Sequence, residues 1–494
     1  MQTKMKAGDV LNITVQLELD NSKINNFSEI ISFAYRTGLA VGRKIVQDYL
    51  SFADRELMKN RDTKRYRSKG SRKTCLKTIL GVIEYEREVY EDRAAVESVR
   101  HVYLLDEKLE VNTIGQISEE ICRYAATSIC GTTYRDTARQ ISEITGTSIS
   151  PQGVWNIVQK MGERQAQCVE YHTELAALNQ SKGELESKIL YEENDGIWLK
   201  LQGKDRKASK FPSKEMKVGI AYDGAYWEMV GKEKRRTLAD KVAYASFEPA
   251  QQFHEHKDAM IRSRYNTDET TVRVINGDGA QWILGQEKDS IPVLDKFHRN
   301  KMLRTCIRDR DFLHTCQDLL YAGDIEKLLE CVEAQRDSVE DEKGKKDLTT
   351  LLSYYKENQD ALKDYYQRGT PVPETRNPGV IHHARLGSME SNVFTLIGNR
   401  MKGRRFCWSI QGANHLASLL CAYHTIGFES IFAKIPQKSV KHDKESNDIL
   451  TAAKIPKTIG QGYEYPTTGS FPLGTKWSEY WSQSNLSIAE LNFI

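Results

Sequence analysis

The sequence predicts an α/β protein: a mixed sheet with a helical insertion, preceded by a helical and small-β N-terminal region that carries a helix-turn-helix. Three observations predict it. Ile189–Leu201, Met216–Met229, Ala239–Phe247, Thr271–Ile275 and Ile291–Leu294 read as strands, with a helical stretch at Pro249–Arg264 among them. Residues 300–370 are polar and helical, without strand signal. Upstream, helical patterns at Ser28–Met58 and Ile117–Gln165 flank a short alternating stretch, Leu76–Tyr90.

Residues 1–70 form a helical region in which Ile31, Phe33, Ala34, Leu39, Val41 and Ile45 recur at three- and four-residue spacing. It ends in a basic stretch: Arg61, Lys64, Arg65, Arg67, Lys69, Arg72 and Lys73 lie between Lys59 and Lys77, with Tyr66 among them and Asp62 opposing. Such a stretch can neutralise phosphates, or it can be a solvated linker between a helix and a sheet. Residues 71–110 form a small β unit, where Val82, Tyr85 and Val89 fit short strands and Gly81 lies near a turn.

Residues 111–186 read as a helical DNA-binding region. Ala138, Ile141 and Ile144 mark one face of a helix that Gly146 ends. Ser150 is an N-cap with Pro151 at the first helical position, and Val154, Ile157 and Val158 mark the next helix. Two short helices with a Gly-containing turn make a helix-turn-helix candidate, of which an ordinary helical hairpin is the alternative. A connecting helix over 166–186 follows. Residues 187–299 hold the first part of the sheet core, 300–380 the helical insertion, and 381–435 a helix from about Ser388 to Ala422 with a break near Gly403. The tail, 436–494, is rich in Lys, Ser, Gly and Pro and is expected to be loosely ordered.

Composition narrows the function classes. With 39% hydrophobic and 28% charged residues the chain reads as a soluble globular protein, and its length fits several structural units. It contains no apolar run of about 18 residues that could cross a membrane, and Met1–Asp20 lacks the order of a signal peptide. A bacterial cytoplasmic location, at the nucleoid, is the expectation. The nine cysteines form no C-x-x-C pair, so reduced thiols are expected rather than disulfides or a zinc site. Net charge is only +3, so a nucleic-acid partner is signalled locally or not at all.

The carboxylates carry the chemistry. Phosphodiester cleavage and strand transfer need an activated attacking oxygen and a stabilised leaving oxygen, which two divalent ions about 4 Å apart supply. Three Asp-Gly pairs fall in the α/β region: Asp195-Gly196, Asp223-Gly224 and Asp278-Gly279. Asp-Gly between apolar runs is a hairpin signal, and VGIAYDGAYWEMV reads as a hairpin turning at Asp223. Asp278 instead follows the strand VRVI and leads into AQWIL, a strand-to-helix junction where an exposed acid serves a site. Asp195 could sit in a turn or within a long first strand. Glu390 lies at the start of a helix, on a side shared with Val393, Phe394 and Ile397. There it would need a metal or a base as partner, or serve as a first-turn acid favoured by the helix dipole.

Asp195 in EENDGIW, Asp278 in INGDGAQWI, Asp295 and His298 in LDKFHRNK, and Glu390 in GSMESNVFTLIGNRMKGRRFCWS resemble, in this order, the ISLre-type insertion-sequence transposases. These are bacterial relatives of the Mutator-like DDE enzymes. The resemblance runs from about Arg72 to Leu420 and includes TGTSISPQGVWNIV. It implies a ribonuclease-H-like core and metal-dependent cleavage and joining of DNA at the ends of a mobile element. It further implies Asp195, Asp278 and Glu390 as ligands of two Mg²⁺ or Mn²⁺ ions, with Asp295 and His298 near the active site. From the residues themselves, Asp295 could equally cap the helix starting at Lys296.

Candidate DNA contacts are Lys64, Arg65 and Arg67 in the basic stretch, and Arg135, Gln152 and Asn156 in the helix-turn-helix. Arg400, Arg404 and Arg405 follow the third acid, beside Lys402, with Trp408 as a core anchor. His254 and His256 are two apart on a helix, so solvated histidines are the expectation there, and His382-His383 could contact DNA. The partners expected are double-stranded DNA, both element ends and target, and a second copy of the chain, since joining two ends needs at least a dimer. Two other readings stay open: a non-catalytic DNA-binding regulator, and a structure-selective nuclease with the same core.

Overall fold

The computed structural model describes residues 26–94, 100–111, 113–284, 290–369, 386–403 and 406–432. The tail from 436, His382, His383, Arg404 and Arg405 lie outside the described residues. The described residues fall in two compact units, one made of those within 1–125 and 134–154, the other of those within 126–133 and 155–435.

In the first unit, α1 (Phe27–Asn60) opens where the Asn26 side chain accepts a hydrogen bond from Glu29 N at 3.1 Å. Strands β1 (Tyr66–Thr78) and β2 (Gly81–Asp92) pair antiparallel, and β3 (Arg100–Val102) adds to β2. After α2 (Leu104–Leu109), the short β4 (Thr113–Ile114) and β5 (Ile117–Ser118) complete a sheet of order β3-β2-β1-β5-β4. Leu50, Ala53 and Leu57 of α1 bury against Ile83, Tyr85 and Tyr90 of β2. The basic stretch is therefore no linker: from Tyr66 onward it is strand β1.

Helix α3 (Glu119–Ile129) and α4 (Tyr134–Thr145) follow. Ala138 and Ile141 are buried as the periodicity predicts, but Ile144 is 46% exposed. Gly146 ends α4 at φ +65°. Ser150 Oγ accepts a hydrogen bond from Gly153 N at 3.0 Å, capping α5 (Pro151–Ala177) with Pro151 at its first position. Its 27 residues replace the short helix and separate connecting helix expected.

The second unit is organised by a mixed sheet. The strands are β6 (Ile189–Lys200), β7 (Ser213–Tyr222), β10 (Val242–Ser246), β11 (Val272–Gly277) and β12 (Ser290–Leu294), in the order β10-β7-β6-β11-β12. β7 runs antiparallel to β6 and β10, while β11 runs parallel to β6 and β12. α6 (Gly203–Ala208) joins β6 to β7, and α7 (Ala250–Arg264) crosses from β10 to β11. Met260, Ile261 and Tyr265 pack on Leu190, Ala221 and Val242. Glu192 is fully buried and bonded to Lys257 Nζ at 2.7 Å and Arg273 Nε at 2.8 Å. Burial alone would raise its carboxyl, but the two cations outweigh that and hold it below the usual range.

Asp223-Gly224 is not the tip of a hairpin. The chain there leaves the main sheet for a separate two-stranded one, β8 (Ala225–Val230) with β9 (Glu233–Leu238). The hairpin turn is at Gly231, φ +65°.

α8 (Gln281–Leu284) and α9 (Lys296–Cys306) flank β12. The insertion continues as α10 (Arg310–Ala322), α11 (Ile325–Ser338) and α12 (Glu342–Glu357), around Cys316, Leu320, Leu328, Val332, Leu351 and Tyr355. The return to the core is α13 (Met389–Val393), a π-helical turn Phe394–Gly398 and α14 (Asn399–Met401). α15 (Ile410–Tyr423) and α16 (Glu429–Phe432) close the described chain.

Candidate active site

Side chains alternate along a strand, so Glu193 and Asp195 of β6 point to the same face. On the parallel neighbour β11, Asn276 stands opposite Glu193. Asp278 follows Asn276 by two residues, as Asp195 follows Glu193, which brings the two aspartates to one face and one level. On β12, Leu294 stands opposite Gly277 and Asp295 N donates to Gly277 C=O at 2.7 Å. Asp295 therefore ends its strand beside Asp278.

The two aspartates interact as like charges. Burial raises the Asp195 carboxyl above its ordinary value, and Asp278 pushes it the same way. A hydrogen bond from Gly196 N (2.7 Å) and the charge of His298 act in the opposite sense. Asp278 turns the chain from strand to helix: its Oδ1 accepts from Ala280 N at 2.9 Å, and Gly279 takes φ +94°. A Cβ at Gly279 would meet Asn358 Oδ1 at 2.9 Å, so the insertion presses closely on this turn. Tyr354 of α12 donates to the Asp278 carbonyl at 2.6 Å and braces it from the same side.

Asp295 is both cap and neighbour. Its Oδ1 accepts from Phe297 N (2.9 Å) and His298 N (3.2 Å) at the start of α9, and meets His298 Nδ1 at 3.2 Å. Burial opposes ionisation of Asp295, but the bonds from His298 and Asn276 hold its carboxyl below the usual range. His298 is raised above the ordinary imidazole value, first by its bond to Asp295, against burial, and then by the charges of Asp295, Asp195 and Asp278.

Glu193 is the buried residue of the candidate site that the sequence hid. Fully buried, it accepts hydrogen bonds from Tyr222 Oη (2.7 Å), Asn276 Nδ2 (2.8 Å), Gly387 N (2.8 Å) and Ser388 N (3.1 Å). Asn276 Nδ2 also reaches Asp295 Oδ2 at 3.3 Å. One carboxylate thus ties β6, β7, β11 and the start of α13 together, directly beneath the aspartates. Burial pushes its carboxyl up while these donors pull against that rise. In the sequence it is one acid among three in YEEND, and only the register singles it out.

Glu390 does not share the buried side of α13. Met389, Asn392 and Val393 are buried, whereas Glu390 is exposed and Phe394 is 62% exposed. Glu390 and Phe394 share the exposed side at regular four-residue spacing, with Phe394 N donating to Glu390 C=O, while Val393 turns to the buried side. Glu390 therefore needs no buried partner. Among the described residues no group of three or more His, Cys, Asp and Glu side chains gathers in metal-holding geometry. What is gathered is the aspartate pair: hard oxygen donors of like charge, neither ion-paired to a cation of the protein among the described residues. Such a pair suits Mg²⁺ or Mn²⁺, which prefer carboxylate and water oxygens.

The other candidates divide. Lys64, Arg67, Arg135, Gln152, Asn156 and Lys402 are exposed. Arg65 is exposed too, but its guanidinium grips Asp92 with two bonds of 2.9 Å. Arg400 is buried instead of facing phosphates: its Nε donates to Ile129 C=O at 2.7 Å, and Phe406 and Trp408 lie beside it, each ring centre 5.6 Å away. Trp408 is a core anchor, donating through Nε1 to Met401 C=O at 2.9 Å. His254 and His256 are not solvated. His254 Nε2 meets the Trp282 carbonyl, and His256, buried, lies 3.2 Å from Glu248. No disulfide joins the cysteines among the described residues, and no helix among the described residues is long and apolar enough to cross a membrane.

Comparison with known proteins finds relatives that share one family designation. A UPF0236 protein of Caldanaerobacter subterraneus subsp. tengcongensis, whose name joins four designations, is 24% identical over 405 residues, covering 80% of this chain and 77% of its own. Another from the same bacterium, whose name joins eleven, is 24% identical over 402 residues, 80% of this chain and 77% of its own. A UPF0236 protein in the vanSb 3′ region of Streptococcus gallolyticus is 21% identical over 373 residues, 71% of this chain and 72% of its own. The family model described as "Uncharacterised protein family (UPF0236)" matches residues 21–430, and the chain belongs to that family.

Proposed function

We propose that this protein is a DNA transposase of the DDE type. Its sheet would be a ribonuclease-H-like core on which Asp195 and Asp278 hold divalent metal at the scissile phosphate. The observation that carries the reading is that Asp195 on β6 and Asp278, the residue after the end of the parallel neighbour β11, lie close enough to act on each other as like charges, with neither ion-paired to a cation among the described residues. Supporting it, three antiparallel strands, a crossing helix and two parallel strands make the strand sequence of that core. Relatives whose names join four and eleven designations in one bacterium fit a gene present in several copies, as a mobile element's is.

Bound Mg²⁺ or Mn²⁺ would activate the attacking oxygen and neutralise charge at the leaving oxygen. The protein's own part is positional. Asp195 offers its oxygens from within β6 and Asp278 from the turn that follows β11, and Tyr354 and Asn358 keep the Asp278 turn in place. Asp295 binds His298 Nδ1, which favours the charged imidazole and leaves Nε2 to face a substrate phosphate. Glu390 serves as the third acid in this reading, on a helix whose start is fastened to Glu193.

The test is direct. The full chain, Mg²⁺ and DNA carrying the ends of its element should yield 3′-OH cleavage and joined product, and Asp195→Ala or Asp278→Ala should abolish both. Cleavage that survives Asp278→Ala would sink the assignment of the aspartate pair.

A further inference from the structure

Beyond Asp195 the main sheet ends, yet β6 and β7 continue. β11 pairs with β6 only as far as Glu193, and β10 with β7 only over Lys217–Ala221. From Ile197↔Met216 outward to Lys200↔Ser213 the two strands pair only with each other, and α6 joins them. This arm, residues 196–217, holds seven basic residues against two acidic ones, an excess larger than the +3 of the whole chain.

One side of the arm is covered and fixed. Ile197, Leu199, Leu201 and Met216 are buried. Trp408 N donates to Lys200 C=O at 2.9 Å, and Gln202 N donates to Trp408 C=O at 2.8 Å. The other side, opposite the face of Asp195, is open. Trp198 is 56% exposed and Phe211 59%, and Lys200, Lys204, Lys207 and Lys210 are exposed with no ion pair among the described residues. Lys210 Nζ stands 5.7 Å from the Phe211 ring centre. Of the two acids, Asp205 is engaged elsewhere, while Glu215 stands opposite Trp198 on the open side. Asp205 accepts from Ile410 N at 2.7 Å, and Glu215 lies over Gly196, where a Cβ would meet its Oε1 at 2.1 Å.

Exposed aromatic rings among unpaired lysines on a rigid support match what an unpaired nucleic-acid strand needs. Every base offers a face for stacking, and every phosphate a charge for a lysine. A duplex keeps its bases stacked on each other and has little use for the rings. We propose that the arm binds a single-stranded segment of DNA, with Trp198 and Phe211 stacking on bases and Lys200, Lys204, Lys207 and Lys210 holding phosphates. This rests on the reading of the protein as one that acts on DNA, but not on its carboxylate chemistry.

The experiment measures fluorescence anisotropy of a labelled dT oligonucleotide and of a duplex against the full chain, with EDTA present. The Trp198→Ala, Phe211→Ala double variant should bind the oligonucleotide at least about tenfold more weakly and the duplex nearly unchanged. Lys204→Ala, Lys207→Ala, Lys210→Ala together should flatten the slope of log affinity against log salt by about 2 for the single strand. A wild type that does not bind the oligonucleotide, aromatic variants that bind it equally well, or an equal loss for duplex and single strand would each overturn the proposal. Because no metal or cleavage enters, a failure of the aspartate reading leaves this result standing, and the reverse also holds.

Discussion

Strand β1 and the arm at residues 196–217 are both rich in lysine and arginine, and both lie on antiparallel strand pairs, but their surroundings differ. Opposite β1 runs β2, with the acids of EYEREVYED facing it. Lys69 meets Glu91 at 2.6 Å, Lys73 meets Glu86 at 3.5 Å, and Arg65, just before the strand, grips Asp92. Lys77 Nζ donates to Ser148 C=O at 2.7 Å. In the arm the strand facing Trp198 and Lys200 offers one acid, Glu215, which lies over Gly196. The first region spends its cations on folding and the second keeps them for solvent. A basic run is therefore a binding surface only where no partner strand neutralises it.

That contrast can be tested by removing partners, and the cost should follow burial. The largest effect belongs to the buried set in the core. Glu192→Ala would leave Lys257 charged in a site where it is 2% exposed and Arg273 without its nearest acid. Stripping one partner from a buried ion pair costs about 3–5 kcal/mol. Urea unfolding should show that loss, and a change below about 1 kcal/mol would mean the pairing contributes little.

The next effect belongs to β1. Arg65 holds the Asp92 carboxyl below its usual range, against burial, and the pair closes the end of the β1–β2 ladder. Asp92 is 8% exposed but Arg65 46%, so solvent screens part of the attraction. Asp92→Ala should cost about 1–2 kcal/mol in the same measurement. If it costs nothing, the basic stretch is as unpaired as the arm and the comparison fails.

A third, smaller effect lies at the candidate site itself, where the cation of His298 is paired. Its folded value is raised, so the stabilisation from its bond to Asp295 is full below the unfolded value of about 6.5 and is lost as pH rises through the folded one. Asp295→Asn removes the first cause of the rise, so the His298 midpoint, followed by NMR, should fall. An unchanged midpoint would shift the cause to Asp195 and Asp278.

The legibility of these features in the sequence follows from how local their causes are. The strand-to-helix junction at Asp278, the cap and proline at Ser150-Pro151, and the buried Val154, Ile157 and Val158 depend on neighbours a few residues away, and the pattern contains them. Glu193 and the ladder partners of β1 depend on register between distant strands, which no local pattern specifies. Asp223 misled because Asp-Gly favours a turn whether or not the flanking strands pair, and here they join different sheets. Glu390 lies with Phe394 on the exposed side while Val393 and Ile397 face the core, a division that three- and four-residue spacing alone does not decide. The arm was missed because its cations are spread over strand, helix and strand with Asp205 and Glu215 between them, whereas the run from Lys59 is dense and mostly paired.

The smallest effect is the sharpest separator. If the arm's cations serve a ligand and not the fold, removing them should leave stability almost untouched. Lys204, Lys207 and Lys210 are exposed and outside any ion pair among the described residues. Their joint replacement by alanine should therefore change unfolding free energy by no more than about 0.5 kcal/mol, with a slight gain where crowded positive charge is relieved. A loss well above that would show the lysines bracing the arm, as the arginines and lysines beside β2 brace β1, and the distinction between a neutralised strand and an open platform would collapse.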